Sequence, residues 1–285
     1  MLPNNKMKDT FICDMVIARY KEDLHWLRQY NKPEYKFRNL YLYNKWQQNN
    51  DTTSQDLGCF LNGKECIKIN LTNEGRCDHT YLYHIIKNYD TLADVTIFAK
   101  GSSDLTRERR KLPFIMKKVF ETHDSVFSVI HTETAVGHVF EKDLKFDKYR
   151  ASHPKNYSGI MDIHSLRMKP ASPRPFGRWF EKHFPGINIY YVSHAATMAV
   201  SRAHIHQHPK SYYEKFIKEL EGHPNPEVGH YFERSWLAVF NPIPESCIYE
   251  GGGYTQHGGL RKRRVTRRRR TRGSKIKQAS PDITE

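Results

Sequence analysis

Two basic residues stand where a diphosphate group could be held. Arg76 ends the turn NEGR, and Lys100 directly follows the apolar run VTIFA. A departing diphosphate is stabilised either by a divalent cation on carboxylates or by Lys and Arg. The sequence contains no Asp-x-Asp motif, so we expect no divalent cation and take Arg76, Lys100, Arg202 and Asn73 as candidate substrate-binding residues. The alternative is that Arg76 caps its own turn and that Lys100 is solvated.

Glu233 is the candidate general base. It lies in the segment HYFERSW, beside an apolar helical face that carries Phe232, Trp236 and Phe240. A partly desolvated carboxylate can take the proton of a hydroxyl group, which a group transfer to that hydroxyl requires. Buried acids also gather in structural ion pairs, so a salt bridge to an arginine is the alternative.

Three histidines and one tryptophan could also contact a ligand. His204, His206 and His208 alternate, and on an extended segment they would point to one side, where they could bind zinc or copper. No cysteine lies nearby to complete a ligand set, and we therefore predict no metal site. Trp46 lies beside a polar loop and is the candidate for stacking on a ligand ring, although tryptophans more often belong to the core.

An arginine-rich tail carries most of the net charge. The chain has a net charge of +15, and residues 261–277 contain 11 Lys or Arg and no acid. Without these residues and the last two acids of the chain, 35 basic and 29 acidic residues remain, a net charge of +6. We expect the tail to bind nucleic acid or another polyanion without sequence preference, or to act as a nuclear-import signal. The candidate nucleic-acid-binding residues are Arg261, Lys262, Arg263, Arg264, Arg267, Arg268, Arg269, Arg270 and Arg272.

Short apolar runs and helical periodicities alternate in the first third of the chain. Strands are predicted at 12–20, 39–44, 67–71 and 95–99, and helices at 22–30 and 78–90. This order is typical of an α/β fold with a mainly parallel central sheet flanked by helices. Ligands bind at the carboxyl ends of the strands in such sheets, where Arg76 and Lys100 would both lie.

The rest of the chain completes one domain. Residues 101–185 give the weakest pattern and predict loops with a few short helices, whereas 187–192 predicts a further strand of the central sheet. Helices are predicted at 209–220 and 231–240. We therefore expect a polar leader at 1–11, a single domain at 12–250, and a Gly-rich linker with a disordered tail at 251–285.

The remaining composition predicts a soluble, cytoplasmic protein. The five cysteines are scattered without a C-x-x-C pair, which indicates reduced thiols. No apolar run approaches the length of a membrane span. The basic tail adds a nuclear location as an alternative.

Four blocks of the sequence resemble the family known as domain of unknown function 3431. They are VIARYKEDLHWL at 16–27, the block at 72–101 that begins TNEGRCDHTY, the block at 193–220 and GHYFERSWLAVF at 229–240. In that family an acid usually follows the arginine of the NxGR turn. Here Cys77 intervenes, and the resemblance implies that Asp78 takes this catalytic place. The family occurs in fungi, bacteria and large viruses, which adds a virion-associated location as an alternative.

The NxGR turn with its helix and strand is also similar to a turn in glycosyltransferases of the nucleotide-diphospho-sugar fold. This resemblance implies a GT-A-like architecture and an enzyme that transfers a sugar from a nucleotide-sugar donor to an unknown acceptor. Two other functions stay open. One is a non-enzymatic body that binds carbohydrate or nucleotide in the same cleft, and the other is a virion- or chromatin-associated protein that acts through its basic tail.

Overall fold

The computed structural model describes residues 11–46, 55, 57–104, 109–131, 143–145, 168–188, 190–193 and 196–253. Residues 1–10 and 254–285 lie outside this part of the chain, so what the sequence indicates about the leader and the arginine-rich tail stays a prediction. No helix among the described residues is both long and apolar enough to cross a membrane.

A five-stranded sheet forms the centre of the fold. With strands numbered in chain order, it contains β1 (Cys13–Arg19), β2 (Asn39–Asn44), β5 (Ile67–Asn70), β6 (Val95–Lys100) and β9 (Met198–Ser201). The strands lie in the order β5-β2-β1-β6-β9, and only β9 runs antiparallel to its neighbour. The prediction of a mixed α/β fold with a mainly parallel sheet is therefore confirmed.

Helices cover both faces of this sheet. They are α1 (Arg76–Lys87), α2 (Lys111–Thr122), α3 (Phe176–His183), α4 (Arg202–Ile205), α5 (Lys210–Leu220) and α6 (Glu227–Val239), with 3-10 helices at His25–Tyr30, Tyr89–Thr91 and Glu245–Cys247. Alternate residues of β1 pack on opposite sides, Val16 against the aromatic cluster of α1, α3, α5 and α6, and Met15 against α2 and the first 3-10 helix. A strand that is buried on both faces explains why ICDMVIARY reads as a continuous apolar run.

The strand near residue 190 is shorter than predicted and belongs to a different sheet. The segment at 187–192 was expected in the central sheet, but only β8 (Tyr191–Val192) forms, and it pairs antiparallel with β7 (Phe127–His131). β7 also pairs with β10 (Ile248–Glu250), which gives a separate three-stranded sheet. The edge of the central sheet is taken instead by β9, whose four residues are all buried.

The segment after β6 contains more structure than predicted. α2 has twelve residues, and Leu112, Ile115, Met116 and Val119 bury one face of it at helical spacing. The apolar residues have helical spacing in the sequence, but Pro113 and the basic residues on either side of the apolar run interrupt the pattern. Loops and short helices were thus the wrong prediction for residues 111–131.

Two cysteines form a disulfide, contrary to the expectation of five reduced thiols. Cys59 and Cys66 are linked with a Cα–Cα distance of 5.5 Å. They flank the hairpin of β3 (Phe60–Leu61) and β4 (Lys64–Glu65). The scattered spacing hid the pair, because a two-residue hairpin brings residues seven apart face to face.

Candidate functional site

The carboxyl ends of β2, β1 and β6 meet at one edge of the central sheet. The chain continues from β1 to β2 on one side and returns to β6 on the other, and such a switch point opens a crevice. Arg19, the last residue of β1, donates from Nη1 to Asn44 Oδ1 at 2.6 Å, and the backbone N–H of Gly101 donates to Ala18 O at 2.8 Å. The strand ends therefore converge as the sequence predicted.

The turn that carries Arg76 links β5 to α1. Gly75 and Arg76 have φ values of 59° and 55°, a left-handed conformation that is strained for arginine. The Nζ atom of Lys45 donates to the carbonyl oxygens of Glu74 and Arg76 and so holds the turn in this shape. Burial lowers the pKa of Lys45 to about 8, and the charges of Asp78 and Glu74 oppose this effect.

Arg76 reaches across to α6. Its Nη1 atom donates to Nε2 of His230 at 2.6 Å. Burial, followed by the charge of Arg76, holds the pKa of His230 well below its usual range, so the imidazole is neutral and can accept this bond. Gly229 packs against this pair, since a Cβ atom there would lie 3.3 Å from Cδ of Arg76 and 3.6 Å from Oδ2 of Asp78.

Asp78 is a buried acid next to this arginine. It is 2% exposed, and its Oδ1 atom accepts a hydrogen bond from Nε1 of Trp236 at 3.0 Å. Burial raises the pKa of Asp78 to about 7, with Glu233 adding to the rise, while Arg76 and the bond from Trp236 oppose it. At neutral pH the carboxyl group is therefore near the midpoint of its titration.

Glu233 and Lys100 complete the cluster. Glu233 lies three residues after His230 on α6, so the two side chains share a helix face, and its charge acts on Asp78 and His230. Burial raises the pKa of the Cys77 thiol, and the charges of Lys100 and Arg76 oppose this rise. Glu233 and Lys100 are both partly exposed.

The structure thus brings together four of the predicted site residues, Arg76, Asp78, Lys100 and Glu233. The remaining candidates lie at different distances from them.

Trp46 borders the crevice on the side of β2. The Nζ atom of Lys21 lies 3.6 Å from the centroid of its ring, and Tyr20 meets the same ring edge to face at 5.3 Å. Trp46 is half-buried. Trp46 therefore lies at the predicted edge, and its ring packs against the ammonium group of Lys21.

Glu22 holds the loop after β1. Its Oε2 atom accepts the backbone N–H groups of Tyr20 at 2.7 Å and Lys21 at 3.1 Å. Gly101 packs directly on this carboxylate, and a Cβ atom there would lie 2.8 Å from Oε2. The two loops of the switch point can come this close because residue 101 is glycine.

Arg202 does not belong to this cluster, contrary to the prediction. Its Nη2 atom pairs with Oδ1 of Asp94 at 2.7 Å, and Asp94 directly precedes β6. Lys100 is the last residue of β6, at the other end of a strand about 17 Å long. β9 is antiparallel, which carries its last residue, and Arg202 after it, to the amino edge of the sheet. Asn73, by contrast, is exposed on the turn before Gly75, at the predicted edge.

The three alternating histidines do not converge. His204 lies in α4, not on an extended segment, and its Nδ1 atom contacts Ser125 Oγ at 2.7 Å. His206 contacts the carbonyl of Tyr89 through Nε2 at 2.8 Å, and His208 contacts that of Asn241 at 3.1 Å. The helical turn rotates successive histidines to different neighbours.

Sequence reasoning missed two members of the cluster, Lys45 and His230. Lys45 directly follows β2, and a basic residue at the carboxyl end of a strand is the same signal that singles out Lys100. His230 precedes Glu233 by three residues on a helix. The sequence contains both signals but gives no sign that either side chain is buried.

Comparisons with known proteins give one family and a distant structural likeness. The family described as "Protein of unknown function (DUF3431)" matches residues 15–256. A comparison with curated proteins finds no match. Solved structures that match include CMP:2-keto-3-deoxy-manno-octonic acid synthetase complexed with CTP, with 12% identity and a TM-score of 0.37, over 85% of this chain and 89% of that chain. At this TM-score the likeness carries no argument about activity.

Proposed function

We propose a function on the premise that the chain belongs to the DUF3431 family. The description of that family assigns no activity, so the proposal depends on the residues of the site. The proposed function is the transfer of a sugar from a nucleotide-sugar donor to an acceptor hydroxyl, on a GT-A-like body. One observation carries it. Arg76 and Lys100 share the carboxyl edge of a parallel sheet with the carboxyl groups of Asp78 and Glu233.

Arg76 and Lys100 hold the diphosphate of the donor in this proposal. As the bond between C1 of the sugar and the diphosphate oxygen breaks, negative charge develops on that oxygen, and fixed cations stabilise it most in the transition state. The contact of Arg76 with His230, at 2.6 Å, orients the guanidinium group before the donor binds. Lys45 has its ammonium group engaged within the turn, so it positions Arg76 and does not contact the donor.

Glu233 is the general base of the proposed reaction. It accepts the proton of the acceptor hydroxyl while the oxygen of that hydroxyl bonds to C1 of the sugar. Its side chain is partly exposed on α6, which gives it access to an acceptor in the crevice. The pair then divides the chemistry, with Arg76 acting on the leaving group and Glu233 on the nucleophile.

Asp78 has a different role from the catalytic one that the family resemblance implies. It is 2% exposed and bonded to Trp236, so the substrate cannot reach it. Its charge acts on Arg76. We therefore assign Asp78 as a positioning residue beneath the arginine.

Binding of nucleotide sugars tests the first half of the proposal. Isothermal calorimetry with uridine and guanosine diphosphate sugars, with and without Mn²⁺, measures the affinity. Arg76→Ala should weaken it about 10- to 100-fold, because a charge-assisted hydrogen bond contributes about 1.5–3 kcal/mol. Arg202→Ala is the matched control, since it removes the same charge from the opposite end of the sheet, and it should bind as the wild type does.

Two outcomes would contradict this part of the proposal. Equal affinity of Arg76→Ala and the wild-type chain would mean that the arginine is a structural residue of the turn. Binding that requires Mn²⁺ and ignores Arg76 would mean that a metal ion holds the diphosphate.

A further inference from the structure

A second cluster of polar side chains lies at the opposite edge of the sheet. Asp124 precedes β7, His204 lies in α4 after β9, and Cys247 ends the 3-10 helix before β10. One potential ligand atom from each lies within 4.8 Å of the other two. Val126 bridges Ala199 of β9, and β9 ends beside the amino end of β6. The cluster is therefore separate from the candidate site at the carboxyl edge.

We propose that Asp124, His204 and Cys247 bind a zinc ion. A thiolate, an imidazole and a carboxylate are all zinc ligands, with Zn–S near 2.3 Å and Zn–N or Zn–O near 2.0 Å. Tetrahedral angles then place sulfur and oxygen about 3.5 Å apart and nitrogen and oxygen about 3.3 Å apart. The observed separations are 3.5 Å between Cys247 Sγ and Asp124 Oδ2, and 3.7 Å between His204 Nδ1 and Asp124 Oδ1. The two contacts are made to different oxygens of Asp124, so the carboxylate must rotate to bring one oxygen onto the ion, and the three ligand atoms already lie within 4.8 Å of one another.

The burial of the three ligands suits an open zinc site. The side chain of His204 is 8% exposed and Cys247 is 1% exposed, so both are fixed by packing, whereas the side chain of Asp124 is 46% exposed. The exposed carboxylate gives the ion access from solvent and leaves room for water as the fourth ligand. Three protein ligands and one water form the usual arrangement of zinc sites that keep an open position.

Two serine hydroxyls surround Nδ1 of His204, the nitrogen that would bind the ion. Ser125 Oγ accepts the backbone N–H of Ser201 at 2.7 Å, and Ser201 Oγ accepts that of His204 at 3.4 Å. Each hydroxyl oxygen also lies 2.7 Å from Nδ1 of His204, and the two oxygens lie 3.2 Å apart. An ion bound to Nδ1 therefore replaces the contacts of this nitrogen with the two hydroxyl groups.

Cobalt(II) is the probe that tests this site, because a cobalt–thiolate bond gives a near-ultraviolet charge-transfer band. Titration of the full-length chain, with its Cys59–Cys66 disulfide intact, with cobalt chloride should produce this band, saturate at one equivalent and reverse when zinc is added. Cys247→Ser should abolish the band. Asp124→Asn, a substitution of the same shape on a partly exposed side chain, should weaken zinc binding by at least about 100-fold, since even groups outside the ligand set matter up to that much. Cys77→Ser is the matched control and should keep the band.

The proposal is overturned if the wild-type chain gives no thiolate band. It is also overturned if the band survives in Cys247→Ser or is lost in Cys77→Ser. Circular dichroism checks that each variant folds. If Cys247→Ser does not fold, Asp124→Asn decides, because zinc affinity equal to that of the wild type would exclude the carboxylate as a ligand.

Discussion

Replacement of Asp78 by asparagine should change how stability depends on pH. As the pH rises, the difference in the free energy of unfolding between the two chains should shift in favour of the variant. Asp78 is 2% exposed, and burial raises its pKa from 3.8 to about 7. The native state therefore keeps this proton after the unfolded chain has released it. The stability that the Asp78 carboxyl group contributes is lost as the pH rises from about 4 to about 7, and the asparagine variant has no such loss. Asparagine retains an Oδ1 atom that can accept the bond from Trp236.

The structure sets the size of this effect. The rise from 3.8 to about 7 corresponds to about 4 kcal/mol, at about 1.4 kcal/mol per pH unit. Roughly 3 kcal/mol of it develops between about pH 5 and about pH 8. Burial lowers the pKa of His79 to about 4 and that of His84 to about 3, so both favour the folded state as the pH rises toward the value of the unfolded imidazole. This contribution is the same in both chains and cancels in the difference between them.

Urea unfolding of both chains at several pH values measures the effect. The difference in the free energy of unfolding should move in favour of Asp78→Asn by about 3 kcal/mol across this range. Asp104→Asn is the matched control at an exposed position, and its difference from the wild type should stay flat. A flat difference for Asp78→Asn would refute the reasoning, because it would mean that Asp78 ionises as freely in the folded protein as in water.

Two further predictions concern the turn and the tail. Lys45→Met should weaken nucleotide-sugar affinity in calorimetry, because two carbonyls of the turn lose their donor. Lys87→Met, at the exposed end of α1, is the control and should leave the affinity unchanged. Equal affinities of Lys45→Met and the wild type would exclude Lys45 as a positioning residue. Deletion of residues 261–285 should abolish retention on a nucleic-acid column at low salt and leave the melting temperature of the body unchanged, and undiminished retention of the truncated chain would contradict the division between body and tail.

The sequence predicted the elements that are long and whose apolar residues recur with the spacing of a single strand or helix. The bounds of β2 match the predicted strand at 39–44, and α5 differs from its predicted helix by one residue. Pairing could not be predicted in the same way. The runs at 187–192 and 198–201 are both apolar, and only the packed structure decides that β9 joins β6 while β8 joins β7.

The candidate site was predictable where it depends on strand ends. A parallel sheet carries the residues after its strands to one edge, which is why the charges of Arg76 and Lys100 both act on Cys77. Burial was not predictable, because it depends on segments far away in sequence. Lys45 bonds to the turn at Glu74 and Arg76, and Asp78 bonds to Trp236 of α6. The prediction that Arg202 belongs to the site was wrong for a related reason, because the antiparallel direction of β9 cannot be read from the sequence.

Turnover by Glu233→Gln is the most direct test of the proposed transferase. Glutamine keeps the shape of the side chain but cannot take a proton from the acceptor. The account predicts that the variant binds a nucleotide sugar with the affinity of the wild type, while release of the nucleoside diphosphate falls about 100- to 10,000-fold. Glu121→Gln, at an exposed position on α2, should turn over normally. Turnover by Glu233→Gln at the wild-type rate, with binding intact, would contradict the account.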